Sequence, residues 1–497
     1  MSMTLILLTI ITILISFVFY HIKRKLNYWQ DQEIPHLKPS LVLGNFQGVR
    51  KTRSMAEILT QHYEKFKGSG PFSGFYFIHR AAVVVLDIKL MKKVLITDFN
   101  NFTDRGLFSN EKDDPLTGRL FLLDGAAWKN MRNKLSPTFS SGKMKNMYSL
   151  VVKHAEELVK VLNDLTRQDP NLEIKDIMAR FTTDVIGSCA FGINCNSLRH
   201  PQAEFRVMGL RSLNERRHGP IITGFMQSYP DLARKLHMRI VPDDITNFFI
   251  KIVKEVIEYR EQNNITAHDF LAILTSIKKE SEVKLSIEQM AAQAFVFFLG
   301  GFETSSSTLG FALYELALEQ EIQEQLRQEI KEAFCKDNNN IEYETLHQLK
   351  YMGQVISETL RKYPIVPFIT RVALNDYLLP GSSKYVIKKG MPVFIPIYAV
   401  HHDSAFYPEP QKFKPERFAS KLEDSKGSQP WLPFGEGPRN CIGLRFGLMQ
   451  TRVALAYLLL HFKFTICEKT EIPLVFDKAS VLLSAKNGIY LKVEKII

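Results

Sequence analysis

Phe434-Gly-Glu-Gly-Pro-Arg-Asn-Cys441-Ile-Gly443 sets one cysteine in a glycine- and proline-rich loop, and the run from Leu444 to Leu460 behind it has apolar residues at helical spacing. Cys441 therefore falls where the unpaired N–H groups and the positive dipole end of a helix favour an anionic sulfur. A thiolate so placed can be the only protein ligand of a metal. Gly435, Gly437 and Gly443 let the backbone turn tightly and come close to a flat cofactor, and Arg439 can reach an anionic group at that cofactor's edge. The alternative reading of a lone cysteine is a buried structural thiol in a turn.

Outward from this loop, composition limits the rest. The chain has 497 residues, 45% of them hydrophobic, and a formal net charge of +12. After residue 40 no Gly/Ser- or Pro-rich linker divides it, so one large body is expected over 41–497. The basic excess calls for an anionic partner. No zinc-finger spacing or aromatic-interleaved basic module is present, so a membrane surface or an acidic protein is expected rather than nucleic acid. Five cysteines without a C-x-x-C pair argue against a disulfide framework and for a reducing compartment.

Met3 to Tyr20 is uncharged and would span about 27 Å as a helix at ~1.5 Å per residue, close to the roughly 30 Å of a bilayer core. Lys23, Arg24 and Lys25 follow it and nothing basic precedes it, which predicts a transmembrane signal-anchor over 1–22 with a lumenal amino terminus and a cytoplasmic body. Tyr28 and Trp29 are expected at the membrane interface, and Pro35 and Pro39 make 23–40 a basic, stiff hinge. Phe72 to Asp87 reads as two paired strands, and Lys384 to Ala399 around Gly390 as another pair. Asn101 to Asp124 is irregular, with Phe102, Leu107, Phe108, Leu116 and Phe121 spaced through it as in a lid over a pocket. Residues 145 to 285 read as successive amphipathic helices broken near Arg199 to Pro201. Within them Phe225 to Val241 suits either a membrane-surface segment or a solvated helix-loop-helix face.

The strongest internal helix starts at a capping box, Ser286 with Gln289, and runs about 32 residues to Leu318, roughly 48 Å at ~1.5 Å per residue. Gly300 and Gly301 in its middle cost ~1 kcal/mol each against alanine, which asks for close packing or close approach of a cofactor. The Thr304 hydroxyl is placed to bond the carbonyl four residues back and leave a polar notch in an apolar wall. Trp128 and Arg132 are i, i+4 neighbours able to bond one anion, and Glu358 and Arg361 are an i, i+3 pair on a helix ending before Pro364. His401-His402-Asp403 tempts a metal reading, but adjacent side chains on a strand point to opposite faces. Ser480 to Ala485 reads as the tip of a late hairpin.

Taken together, F-x-x-G-x-R-x-C-x-G at 434, W-x-x-x-R at 128, G-G-x-E-T at 300, E-x-x-R at 358 and Pro415-Glu-Arg417-Phe resemble the motifs of the cytochrome P450 superfamily in its order. Within it, the stretches G-L-F-S-N-E-K-D-D-P-L-T-G from Gly106 and G-E-G-P-R-N-C-I-G-L-R-F-G from Gly435 resemble the insect family-six branch. The resemblance implies a mainly α fold with a small β portion, a triangular helical domain with haem b between the long helix and the helix after the cysteine. It implies Cys441 as proximal haem-iron ligand, whose thiolate favours O–O cleavage. Trp128, Arg132, Arg371 and Arg439 would bind the propionates, with Gly300, Gly301, Phe434 and Gly443 against the cofactor. Glu303 and Thr304 would relay protons to dioxygen, and Glu358, Arg361 and Arg417 would form a buried network. Pocket candidates are Phe108, Leu116, Phe121, Phe298, Phe302, Val366, Ile369 and Leu483.

The implied reaction is monooxygenation of a lipophilic small molecule, a plant toxin or insecticide, or else an endogenous lipid or hormone, at the cytoplasmic face of the endoplasmic reticulum membrane. No dinucleotide fingerprint or P-loop occurs in the chain, so NADPH-cytochrome reductase, or a cytochrome b-type donor, would supply electrons. A basic face from Lys129, Lys134, Lys143, Lys145 and Arg445 is the expected docking site. A haem-thiolate isomerase and a non-catalytic haem-binding membrane protein stand as other classes; the first is disfavoured by the Glu303-Thr304 pair.

Overall fold

Ser286 caps the longest helix among the described residues as its sequence predicts: its side chain accepts from the Gln289 N–H, the Gln289 side chain accepts from the Ser286 N–H, and Ile287–Leu318 follows. This is a computed structural model, describing residues 3–267, 269–280, 285–336, 341–419 and 429–496. The chain divides into a smaller unit of Met1–Gly106, Pro367–Val400 and Gly435–Arg439, and a larger one of Leu107–Val366, His401–Phe434 and Asn440–Ile497.

The larger unit is mostly helical. Ile287–Leu318 packs against the helices Ile174–Ile186, Asp243–Gln262, Lys350–Lys362 and Leu444–His461. Its second half is almost wholly buried, because neighbours cover it on every side. The predicted stretch 145–285 is mostly helical but is interrupted by the strand Asn171–Glu173 and by a non-helical segment at 192–203 that contains the expected break; residues 268 and 281–284 lie outside the described residues. A three-stranded antiparallel sheet, Asn171–Glu173, Tyr490–Lys495 and Phe462–Thr465, was not legible, its first strand being three residues long.

The smaller unit holds a four-stranded sheet in the order Phe72–Phe77, Arg80–Val85, Pro392–Ile395, Ile369–Val372. The first pair is the predicted hairpin. Lys384 to Ala399 is not a strand pair: Val386–Ile387 pairs with Tyr377–Leu378, while Pro392–Ile395 enters the larger sheet, parallel to Arg80–Val85. Gly390 at φ +81° does make the turn, but into a different sheet.

The amino-terminal helix runs Met3–Leu26, with its membrane-length window wholly uncovered, and among the described residues is the one helix long and apolar enough to cross a membrane. Trp29 is not at an interface. It is 1% exposed, its indole N–H donates to the Phe75 carbonyl at 3.0 Å, and a side chain at Gly74 would collide with its ring. The Pro35 carbonyl accepts from the Gly74 N–H at 2.8 Å, so residues expected as a hinge are hydrogen-bonded onto the sheet.

Candidate functional site

The helix Leu444–His461 begins directly after the cysteine loop. Cys441 is exposed, and its N–H donates to the Phe434 carbonyl at 2.8 Å, closing the loop on itself. Gly437 has φ +72°, and a Cβ there would lie 1.9 Å from the Leu95 carbonyl oxygen, so only glycine fits. Gly443 does not make a left-handed turn: its φ is −90°, and the nearest protein atom to a Cβ there would be Phe139 Cε1 at 3.9 Å.

Trp128 and Arg132 lie on the helix Gly125–Leu135, the indole 5% exposed. Arg132 donates to the Asn440 carbonyl at 2.8 Å and to Asn440 Oδ1 at 2.9 Å, next to Cys441 in sequence. Burial lowers the Arg132 pKa, and the Cys441 charge works against that lowering. A cation is thus held beside the thiol by a partner, Asn440, that no sequence motif picked out.

In the smaller unit Arg371, on the strand Ile369–Val372, is 1% exposed; one terminal nitrogen donates to the Thr370 carbonyl and its Nε has no partner. Burial first, and then the charge of Arg439, bring its pKa down to about 9. Arg439 is 3% exposed, donates to the Thr103 carbonyl and lies 4.0 Å from Asp104. A buried guanidinium with an unmatched N–H is the donor set that a carboxylate completes.

The two glycines of the long helix differ. A Cβ on Gly301 would sit 2.4 Å from Ile186 Cδ1, so Gly301 permits helix packing. Gly300 is exposed in the middle of a helix whose neighbouring residues are buried or half-buried, and a Cβ there would meet nothing within 4 Å. One turn on, Thr304 donates its hydroxyl proton to the Gly300 carbonyl as predicted, so its oxygen can accept from the open side.

Glu303 goes elsewhere. It is 9% exposed, and its Oε1 accepts from Lys175 Nζ at 2.7 Å and from the Ser307 hydroxyl at 3.4 Å. The same ammonium donates to Ser484 Oγ at 2.8 Å. Acid and alcohol are neighbours in the chain but share no hydrogen bond. Lys175 was missed: it is one of several charged residues on the helix Ile174–Ile186, and nothing local pairs it with Glu303. Gln450 was missed too: polar in an apolar run, it donates to the Gly301 carbonyl at 3.1 Å and to Ser305.

Glu358 and Arg361 are both fully buried and paired twice, at 2.7 and 2.8 Å. Arg417 Nε lies 3.3 Å from Glu358, the Lys414 N–H adds a bond at 3.0 Å, and Arg361 donates to the His401 carbonyl at 3.0 Å. His401 ends the helix Ile397–His401 rather than lying on a strand. Its Nε2 accepts from the Leu432 N–H at 2.9 Å, and burial brings its pKa down to about 3. Among the described residues no group of His, Cys, Asp or Glu could by itself hold a metal ion.

Of the pocket candidates, Phe298 and Phe302 are fully buried and stacked on each other, with Phe205 and Phe249 against Phe298, so both pack the helices instead of presenting a free face. Phe108 and Leu116 are also buried, and Phe121 is 44% exposed. Val366 and Ile369 are half-buried. Leu483, 5% exposed, donates its N–H to the Ile365 carbonyl from a loop closed by the Phe476–Ala485 bridge. The segment expected as a lid is pinned: Gln293 bonds both the Leu120 N–H and the Gly118 carbonyl at 2.9 Å, and Asp114 accepts from the N–H groups of Ile240 and Val241. On the predicted basic face, Lys145 is paired with Glu344 at 2.7 Å, while Lys129 and Arg445 are exposed.

Comparison with known proteins identifies the family. The family model described as Cytochrome P450 matches residues 34–493. Cytochrome P450 6a9 of Drosophila melanogaster is 50% identical, with 99% of each chain covered. Cytochrome P450 6A1 of Musca domestica is 47% identical over 99% of this chain and 98% of its own. The chain belongs to the cytochrome P450 family.

Proposed function

We propose that this chain is an NADPH- and dioxygen-dependent monooxygenase of lipophilic small molecules, with haem b bound through Cys441. The observation that carries the reading is the exposed Cys441 before the Leu444–His461 helix, with the Arg132 guanidinium fixed beside it through Asn440. The fit to haem rests on two features of the larger unit, the uncovered thiol and the open surface at Gly300. Trp128 and Arg132 would hold a propionate, and Arg371 and Arg439 are further cations suited to one. When bound, haem supplies the redox chemistry that splits dioxygen: substrate RH, O₂, two electrons from NADPH and two protons yield ROH and water. Phe434 and Gly443 would lie against the cofactor. Thr304, its own hydroxyl hydrogen engaged by the Gly300 carbonyl, would pass a proton on. Glu303, held by Lys175, would enter such a relay only by exchanging partners. The Glu358-Arg361-Arg417 network would support the cysteine loop.

Electrons would come from NADPH-cytochrome reductase, with a cytochrome b-type protein as second donor, docking on Lys129, Lys134, Lys143 and Arg445. The Met3–Leu26 helix, with Lys23, Arg24 and Lys25 in its last turn, supports anchoring in the endoplasmic reticulum membrane with the body cytoplasmic. Exposed Ile221, Tyr229, Leu232 and Leu236 support a second membrane contact. The resemblance of the cysteine loop and the Gly106 stretch to the insect family-six branch is what points to plant toxins or insecticides as substrates, ahead of an endogenous lipid or hormone. Reconstitution with NADPH-cytochrome reductase and labelled dioxygen tests the reading. One labelled atom in the product per NADPH consumed is expected, and a product without label, or formed without NADPH, would favour an isomerase.

A further inference from the structure

Met3–Leu26 ends beside an open cleft of about 440 Å³. Three separate segments of the smaller unit build it: the end of that helix, the tip of the Phe72–Val85 hairpin, and the turn before Pro392. Arg24, Lys25, Arg80, Lys388 and Lys389 line it, with His21 and His79 at its sides and no carboxylate in the lining. Asp376, the nearby acid, is spent on the turn itself, accepting from Lys388 Nζ at 2.9 Å and the Lys389 N–H at 2.8 Å. Arg80 donates to the Gly390 carbonyl at 2.8 Å and fastens hairpin to turn. The Lys389, Arg24 and Lys25 side chains remain exposed. Cations gathered from three segments around a cavity with no acid in its wall are a receptor for an anion.

Depth decides which anion. Headgroup layers add about 5–7 Å on each side of the ~30 Å core, and residues 21–25 climb a similar distance at ~1.5 Å per residue. With the apolar run to Tyr20 in the core, the cavity lies in the headgroup layer, where basic pockets meet lipid phosphates.

We propose that this cavity binds the headgroup of an anionic glycerophospholipid of the membrane into which the helix inserts. The proposal rests on the anchor reading. Lipid held there ties the sheet's hairpin and turn to the helix end, fixing the smaller unit at the bilayer surface.

The test uses the full-length holoprotein in neutral detergent, with thermal unfolding followed by circular dichroism, since a ligand of the folded state raises its midpoint. Dihexanoyl phosphatidylserine should raise the midpoint, and dihexanoyl phosphatidylcholine should not. Lys388→Gln with Lys389→Gln should lose most of the shift, while Lys251→Gln with Lys254→Gln, equal in charge but elsewhere, should keep it. Three results would each overturn the proposal: no serine-lipid shift in the parent, an equal shift with inorganic phosphate, or an undiminished shift in the pocket variant. Carbonate extraction of membranes separates the two readings. Protein that resists extraction yet shows no lipid shift sinks the pocket alone, whereas protein released by carbonate sinks the anchor and the proposal with it.

Discussion

Glu303 and Thr304 occupy successive positions on one helix, and their side chains serve different partners. A helix turns about 100° per residue, so neighbours leave from different faces. Thr304 stays with the open surface at Gly300, and Glu303 reaches Lys175 on the adjacent helix. The motif was legible; the partner, 128 residues away, was not, since nothing local pairs them. Both side chains are largely covered, 19% and 12% exposed, so the pair is screened less than a surface bridge. Lys175→Met should therefore destabilise the fold by about 1–3 kcal/mol. A double-mutant cycle with Glu303→Gln in urea unfolding checks it: the two losses should not add, and strict additivity would deny the coupling.

At the scale of elements, the long helix was readable from end to end because its capping box and unbroken apolar run are local signals. Which glycine served packing was not, since that depends on Ile186 of another helix. Gly300→Ala should be tolerated and gain up to ~1 kcal/mol from helix propensity. Gly301→Ala meets Ile186 and should lose about 1–3 kcal/mol by overpacking, net of the same gain. Thermal midpoints of the two variants are the measurement, and a reversed order would refute the assignment. The strand partners of 386–395 escaped the sequence for a like reason: a turn residue marks where a chain reverses and leaves open which strand it joins.

For the molecule as a whole, two buried histidines, His62 and His401, set a pH limit. Burial lowers both pKa values to about 3, against 6.5 for the free side chain. Above pH 6.5 each is neutral in folded and unfolded chain alike. Below it the unfolded chain takes up protons that the folded chain refuses, so stability falls by about 1.4 kcal/mol per pH unit for each histidine, down towards pH 3. His401→Gln should start less stable at pH 7.5, having lost its fit to the Leu432 N–H, yet lose less between pH 6.5 and 5. Parallel curves for parent and variant would show that His401 is not the titrating group. The overall fold class and motif order were legible in the sequence because each motif is short and local. The division into two units was not, because the smaller one is assembled from three separated segments.

The central claim is that Cys441 binds the haem iron as a thiolate. Its most direct test is the absorption of the reduced, carbon monoxide-treated holoprotein beside that of Cys441→Ser. Thiolate ligation predicts the red-shifted Soret band in the parent and its loss in the variant. A variant that kept the band would show that another residue is the ligand.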